Sequence, residues 1–181
     1  MKTPEEFKAE FAAGEARFDK LLPSDADELT IVLKGHLLIE EQLRAITRAL
    51  VANPEYFDNA RLTFSNALHL ARAVAGHFNQ SACWAAAQQL NSIRNQMAHQ
   101  AEPLSTPVLF EKFFAVCEAE SRWSTAHNMP RGRLKLRAYI SAIWVIFDSL
   151  RAVVQICVQT APSPLTHRPS RRESNNAEYE S

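Results

Sequence analysis

The run over residues 133–159 contains no proline and no glycine, and it sets Ile140, Ile143, Trp144, Ile146, Phe147, Leu150, Val153 and Val154 around most sides of one helix. A helix that is apolar nearly all round cannot lie on a protein surface. It has to be covered, either at the centre of a domain or at a subunit interface. A membrane is the other way to cover it. Asp148 and Arg151, however, interrupt the most hydrophobic stretch, residues 139–158, and a spanning helix rarely carries such residues. The opening Met1-Lys2-Thr3-Pro4-Glu5-Glu6 also lacks the apolar centre of a signal peptide. The expectation is a soluble cytoplasmic protein with no membrane contact.

At 181 residues and 46% apolar content, the chain can bury one sizeable core but is short for two. With only four glycines, and nine prolines placed where patterned segments end, helices joined by short loops fit better than many strands. Residues 4–22 carry Phe7, Phe11, Phe18 and Leu22 at helical spacing, closed by Pro23. Ser24 followed by Asp25, Asp27 and Glu28 signals the start of a long helix that runs to Val51. Further helices are predicted over residues 61–75, closed by Gly76, then 81–99, 107–121 and 133–159, with 123–132 as loop. Beyond Thr160 the composition turns to Pro, Ser, Arg, Asn and Glu, a disordered tail over 160–181. Residues 1–23 form an N-terminal amphipathic helix, and 24–159 one helical domain. The fold class is all-α.

Cys83, Cys117 and Cys157 are widely spaced and sit in apolar pattern, which suits small buried side chains in a reducing compartment and neither disulfides nor zinc. No cluster of metal ligands and no glycine-rich phosphate loop is visible, so no metal or cofactor is expected. Net charge is zero but unevenly spread. Residues 1–28 hold eight acids against four bases, whereas 59–101 and 121–147 contain arginines and a lysine with no carboxylate. These stretches are either ordinary surface charge or a basic face able to hold phosphates.

Two helices carry polar residues on faces that should be buried. On the segment 81–99, Cys83, Ala87, Leu90 and Met97 form a stripe, and Arg94 falls inside it. An arginine is almost never buried alone, so Arg94 implies an anion, a structural carboxylate or a water-filled cleft. His99, five residues on, would rotate away in a continuous helix, but on a terminal turn it looks into the same cavity or across a dimer seam. On the segment 24–51 the stripe Leu29, Val32, Leu33, Leu37, Leu43, Ile46, Leu50 also contains His36, Glu40 and Thr47. Glu40 is the natural partner for Arg94 if the two helices pack antiparallel. The plain structural reading is a buried ion pair with His36 as a satisfied core histidine.

The run Arg94-Asn95-Gln96-Met97-Ala98-His99 resembles the Arg-x(4–6)-His motif of the HEPN superfamily, in which a polar residue often follows the arginine and the motif closes the third of four bundle helices. The order of segments is similar too: a long helix containing "KGHLLIEEQLR", a shorter helix, the motif helix and a final hydrophobic helix, together covering residues 25–158. The resemblance implies an HEPN-like four-helix bundle, extended here by the N-terminal helix, that dimerises with motif helices facing one another across a shared cleft. Many active members are metal-independent endoribonucleases, often toxins or phage-defence effectors; others, like proteins similar to the mannitol operon repressor, are regulatory. Arg94 and His99 become the candidate catalytic pair and Asn95 the neighbour that shapes the cleft. Glu40 and His36 are added from the helix pattern as supporting residues and do not belong to the motif.

Three functions follow. The first is an HEPN-type ribonuclease with RNA as substrate, acting as a homodimer and paired with an antitoxin protein. The second is a non-catalytic HEPN-like regulatory or binding module. The third is a purely structural helical protein. Histidine suits proton transfer near neutral pH, and the arginine fork can hold two phosphate oxygens, so the motif chemistry fits the first. Against it, no aromatic stacking residues lie near the motif.

Overall fold

The computed structural model describes residues 3–99 and 106–160, whose regular structure is all helix joined by short connections, with no strand among them. The chain order is α1 (Pro4–Leu21), α2 (Glu28–Arg48), α3 (Pro54–Asn59), α4 (Phe64–Val74), a 3-10 turn (Gly76–Gln80), α5 (Cys83–His99), α6 (Thr106–Glu118), a second 3-10 turn (Ser121–Trp123), α7 (Ser124–His127) and α8 (Arg133–Thr160). The expected tail falls outside the described residues except for Thr160, which is the last residue of α8.

Local chemistry fixes the helix starts. Thr3 and Glu6 form a reciprocal capping box before α1. Helix α2 begins later than Ser24 because Asp27 caps it, its Oδ1 accepting from the Thr30 amide at 2.8 Å. A carboxylate there both satisfies a free amide and suits the positive end of the helix dipole. Thr63 caps α4 in the same way, and Gly76 after it takes the left-handed φ of +54° that glycine adopts without cost. The segment expected as loop instead makes the second 3-10 turn and α7, because Trp123 and Ala126 turn inward and are buried. Helix α3 and its capless start at Asn53-Pro54 were not expected either.

Helices α2 and α8 pack most extensively against each other, with α4 and α5 also on α2, and α6 on α5. The α2–α8 approach is close because Gly35 lies directly over Ile140. Trp84 of α5 meets Phe147 of α8, and Phe113 and Phe114 of α6 with Trp123 surround Tyr139. Helix α1 covers α8 through Phe11 and Phe18, whose ring centroids lie 6.4 and 5.3 Å from that of Trp144. Helix α8 is buried most fully in its first half, through Leu136, Tyr139, Ile140, Ile143, Trp144 and Phe147, and along one face further on through Leu150 and Val154, while Val153 and Val158 are exposed. By length and composition alone α8 could cross a membrane. In the fold, its charged interruption is internally matched: buried Asp148 accepts from Arg151, which also reaches Gln42, Glu10 and Gln155.

The buried face of α2 differs from the expected stripe. It runs through Ile31, Val32, Gly35, His36, Leu38, Ile39, Gln42, Leu43, Ile46 and Thr47, leaving Leu29, Leu37 and Leu50 exposed. The cause is that α2 is covered from two sides, by α8 and by α4 with α5, so its apolar arc is broad and centred on Ile31, Ile39 and Ile46.

Candidate functional site

Helix α5 buries Cys83, Trp84, Ala86, Ala87, Leu90 and Ile93 and leaves its last turn open. Arg94 sits at the edge of the buried face, half-buried, next to half-buried Met97, while Asn95 and His99 are exposed. The guanidinium of Arg94 donates from Nη1 to Asn95 Oδ1 at 3.0 Å. Among the described residues no carboxylate forms an ion pair with it. The helix remains α-helical through His99, so the terminal turn does not swing the histidine back. Five residues of α-helix separate two side chains by about 140° around the axis and about 7.5 Å along it. Within one chain, therefore, Arg94 and His99 point to different sides of α5.

The expected Arg94–Glu40 pair is not formed. Glu40 Oε1 instead accepts from Arg44 Nε at 3.0 Å and Nη2 at 2.7 Å, four residues along the same helix. An i, i+4 partner is already in place when α2 forms, and a cross-helix arginine has to compete with it. Arg44 also donates to the Leu62 carbonyl ahead of α4, which holds the pair in position. Glu40 and Arg94 nonetheless meet electrostatically at His36, the one favouring and the other opposing its protonation.

His36 is 3% exposed, its ring stacked on Phe64 with centroids 4.2 Å apart. Its Nε2 lies 3.0 Å from Asn91 Oδ1. Nδ1 is buried with no hydrogen-bond partner and faces Glu40 Oε2 at 3.9 Å. Burial is the main influence on this ring and pushes its pKa down, with the Asn91 bond and Glu40 resisting and Arg94 assisting. The reading of His36 as a core histidine is therefore correct for its packing and half correct for its hydrogen bonds.

Sequence reasoning missed Asn91, Arg44 and Phe64. Arg44 was legible as an i, i+4 partner of Glu40, and Asn91 lies one turn before Arg94 and Asn95 on the same side of α5. Phe64 had no local signal, since only the packing of α4 against α2 brings it to His36. Three His, Cys, Asp or Glu side chains grouped for a metal ion do not occur among the described residues. Cys83 and Cys117 are buried, and burial raises their thiols, Cys83 to about 11, which leaves them unreactive; Cys157 is exposed.

A cleft of about 700 Å³ lies between α1 and the second half of α8, walled by Phe7, Phe11, Ala152, Val153 and Ile156 with Arg151 at its side. None of the motif residues lines it. What the α5 end offers chemically is a cation held by a neutral amide and an exposed imidazole one and a half turns on. No family model, no curated protein and no solved structure matches this chain.

Proposed function

We propose that the chain is an HEPN-type, metal-independent endoribonuclease that works as a homodimer in the cytoplasm, with single-stranded RNA as substrate and an antitoxin protein as its partner. The observation that carries this reading is the state of Arg94. It is half-buried at the end of α5, held by the Asn95 amide and by no carboxylate among the described residues, so its charge stays available to a phosphate. His99, exposed on the last turn of the same helix, supplies the proton-transfer group.

In the reaction, the 2′-oxygen loses its proton to one His99 and attacks the adjacent phosphorus. Arg94 stabilises the charge building on the phosphate oxygens, and the 5′-oxygen leaves with a proton from the second His99. The products end in a 2′,3′-cyclic phosphate and a 5′-hydroxyl. Because Arg94 and His99 diverge on one helix, the cleft is composite: the arginine of one chain works with the histidine of the other. The same divergence favours a second reading, a non-catalytic HEPN-like module in which these residues bind an anion or stabilise a dimer.

The test is incubation of pure protein with single-stranded RNA in chelator and in magnesium, with end-group analysis of the products. Arg94→Ala and His99→Ala should each lose about 10²–10⁴ in rate, with helix content and sedimenting mass unchanged. RNA left intact in both buffers transfers the weight to the module. Cleavage that survives both substitutions removes the motif as the site.

A further inference from the structure

The polar groups around His36 leave one of its two ring nitrogens, the buried Nδ1, without a hydrogen-bond partner. With Asn91 Oδ1 at 3.0 Å, Nε2 must carry the proton, and the neutral ring then presents its Nδ1 lone pair to Glu40 Oε2 at 3.9 Å. Two acceptors then face one another, and Nδ1, which is buried, has no donor. The oxygen and nitrogen of an asparagine amide have nearly the same shape, so its orientation is decided by the network around it. Turning the Asn91 amide over resolves the conflict. Its Nδ2 then donates to Nε2, and Nδ1–H points at the Glu40 carboxylate.

That arrangement extends beyond the histidine. The far oxygen of Glu40 is fixed by two bonds from Arg44, and Arg44 is tied to the Leu62 carbonyl. On the other side, Asn91 stands three and four residues before Arg94 and Asn95, on the face of α5 those two share. With the amide turned over, Asn91 Oδ1 becomes an acceptor on that face. Neutral amide oxygens can orient a guanidinium without cancelling its charge, which a carboxylate in the same place would do.

We infer that Arg44, Glu40, His36 and Asn91 form a polar chain from α2 into α5, with His36 neutral and protonated on Nδ1, and that Asn91 is a positioning residue for Arg94. The Glu40–His36 link in this chain is a 3.9 Å electrostatic contact and not a hydrogen bond. The inference rests on the reading of Arg94 as the phosphate-binding group. The charged groups facing His36 are Glu40 from α2 and Arg94 from α5, while α4 contributes Phe64, which does not titrate. The chain explains why a helix so well covered by apolar neighbours keeps a histidine and a glutamate on the side toward α5.

The test uses the full-length protein labelled with ¹⁵N. Long-range proton–nitrogen correlation at pH 7 should give His36 a pyrrole-like Nδ1 and a pyridine-like Nε2; the opposite tautomer overturns the chain. The Arg94 Nε resonance, assigned by its loss in Arg94→Ala, should move in Asn91→Ala and in Glu40→Gln; an unmoved signal in both also overturns it. Inorganic phosphate should shift that resonance in the wild type and shift it less in Asn91→Asp, where a carboxylate enters the face; equal shifts in the two proteins overturn the positioning role. If RNA is cleaved, Asn91→Ala should lower kcat by up to about 10²-fold, as expected when a catalytic group is displaced, with KM within about twofold; a change in KM alone counts against positioning. If RNA is not cleaved, the nuclease reading falls by itself, and the three spectroscopic outcomes still decide this one.

Discussion

Gly35→Ala is the substitution whose sign the structure decides against local propensity. Replacing a glycine inside a helix by alanine ordinarily stabilises by about 1 kcal/mol, because glycine loses more backbone freedom on folding. In α2, a Cβ at position 35 would stand 2.7 Å from Ile140 Cγ2 and 3.1 Å from its Cδ1 on α8. The nearer atom is a branch at Cβ, which cannot turn away without leaving its rotamer, and α2 and α8 form the densest contact in the fold. Overpacking of this kind costs about 1–3 kcal/mol. The net expectation is a loss of about 0–2 kcal/mol, or up to about 8 °C in melting temperature for a chain of this size. Urea unfolding followed by circular dichroism reads it directly. Ile140→Leu removes the Cγ2 branch at constant volume, so in the double variant the loss should shrink, giving a coupling of about 0.5 kcal/mol or more between the two sites. A Gly35→Ala protein more stable than wild type, or a double variant showing simple additivity, would refute the close approach of α2 to α8 at this point.

Two further outcomes follow from the buried polar groups. Asp148 is 4% exposed and bonded to Arg151, whereas Asp58 and Arg48 pair with half their side chains in water; Asp148→Ala should cost about 3–5 kcal/mol and Asp58→Ala about 1 or less, so equal costs in urea melts would contradict the burial. Burial holds the His36 pKa below its unfolded value of 6.5, so the unfolded chain binds more protons there; its contribution to stability is complete above pH 6.5 and is lost as pH falls below that value. The wild type should therefore lose stability toward pH 5.5 faster than His36→Gln, by at most about 1.4 kcal/mol per pH unit for one proton, and parallel pH profiles would show that the ring does not titrate differently on folding.

The amino-acid sequence alone determines that this protein is helical, because helix periodicity, caps and proline stops are properties of neighbouring residues. It also marks the end of α5 as unusual, since Arg94 lies one turn from Leu90 and Met97 on a face that has to be largely apolar. What surrounds those residues is a tertiary matter. Trp123 and Ala126 look like loop residues until the end of α6 and the first turns of α8 offer them a place to be buried. Leu29, Leu37 and Leu50 look buried until α2 is found covered from two directions, which turns its apolar arc away from them. Glu40 finds Arg44 and not Arg94, an outcome set by competition between a partner present in the isolated helix and one that arrives only with packing. His36 and Asn91 meet because α2 and α5 lie side by side, at a separation of 55 positions that no local pattern encodes. The divergence of Arg94 and His99 belongs to both levels: five residues of helix dictate the angle, and only the unbroken helix through His99 decides that the rule applies.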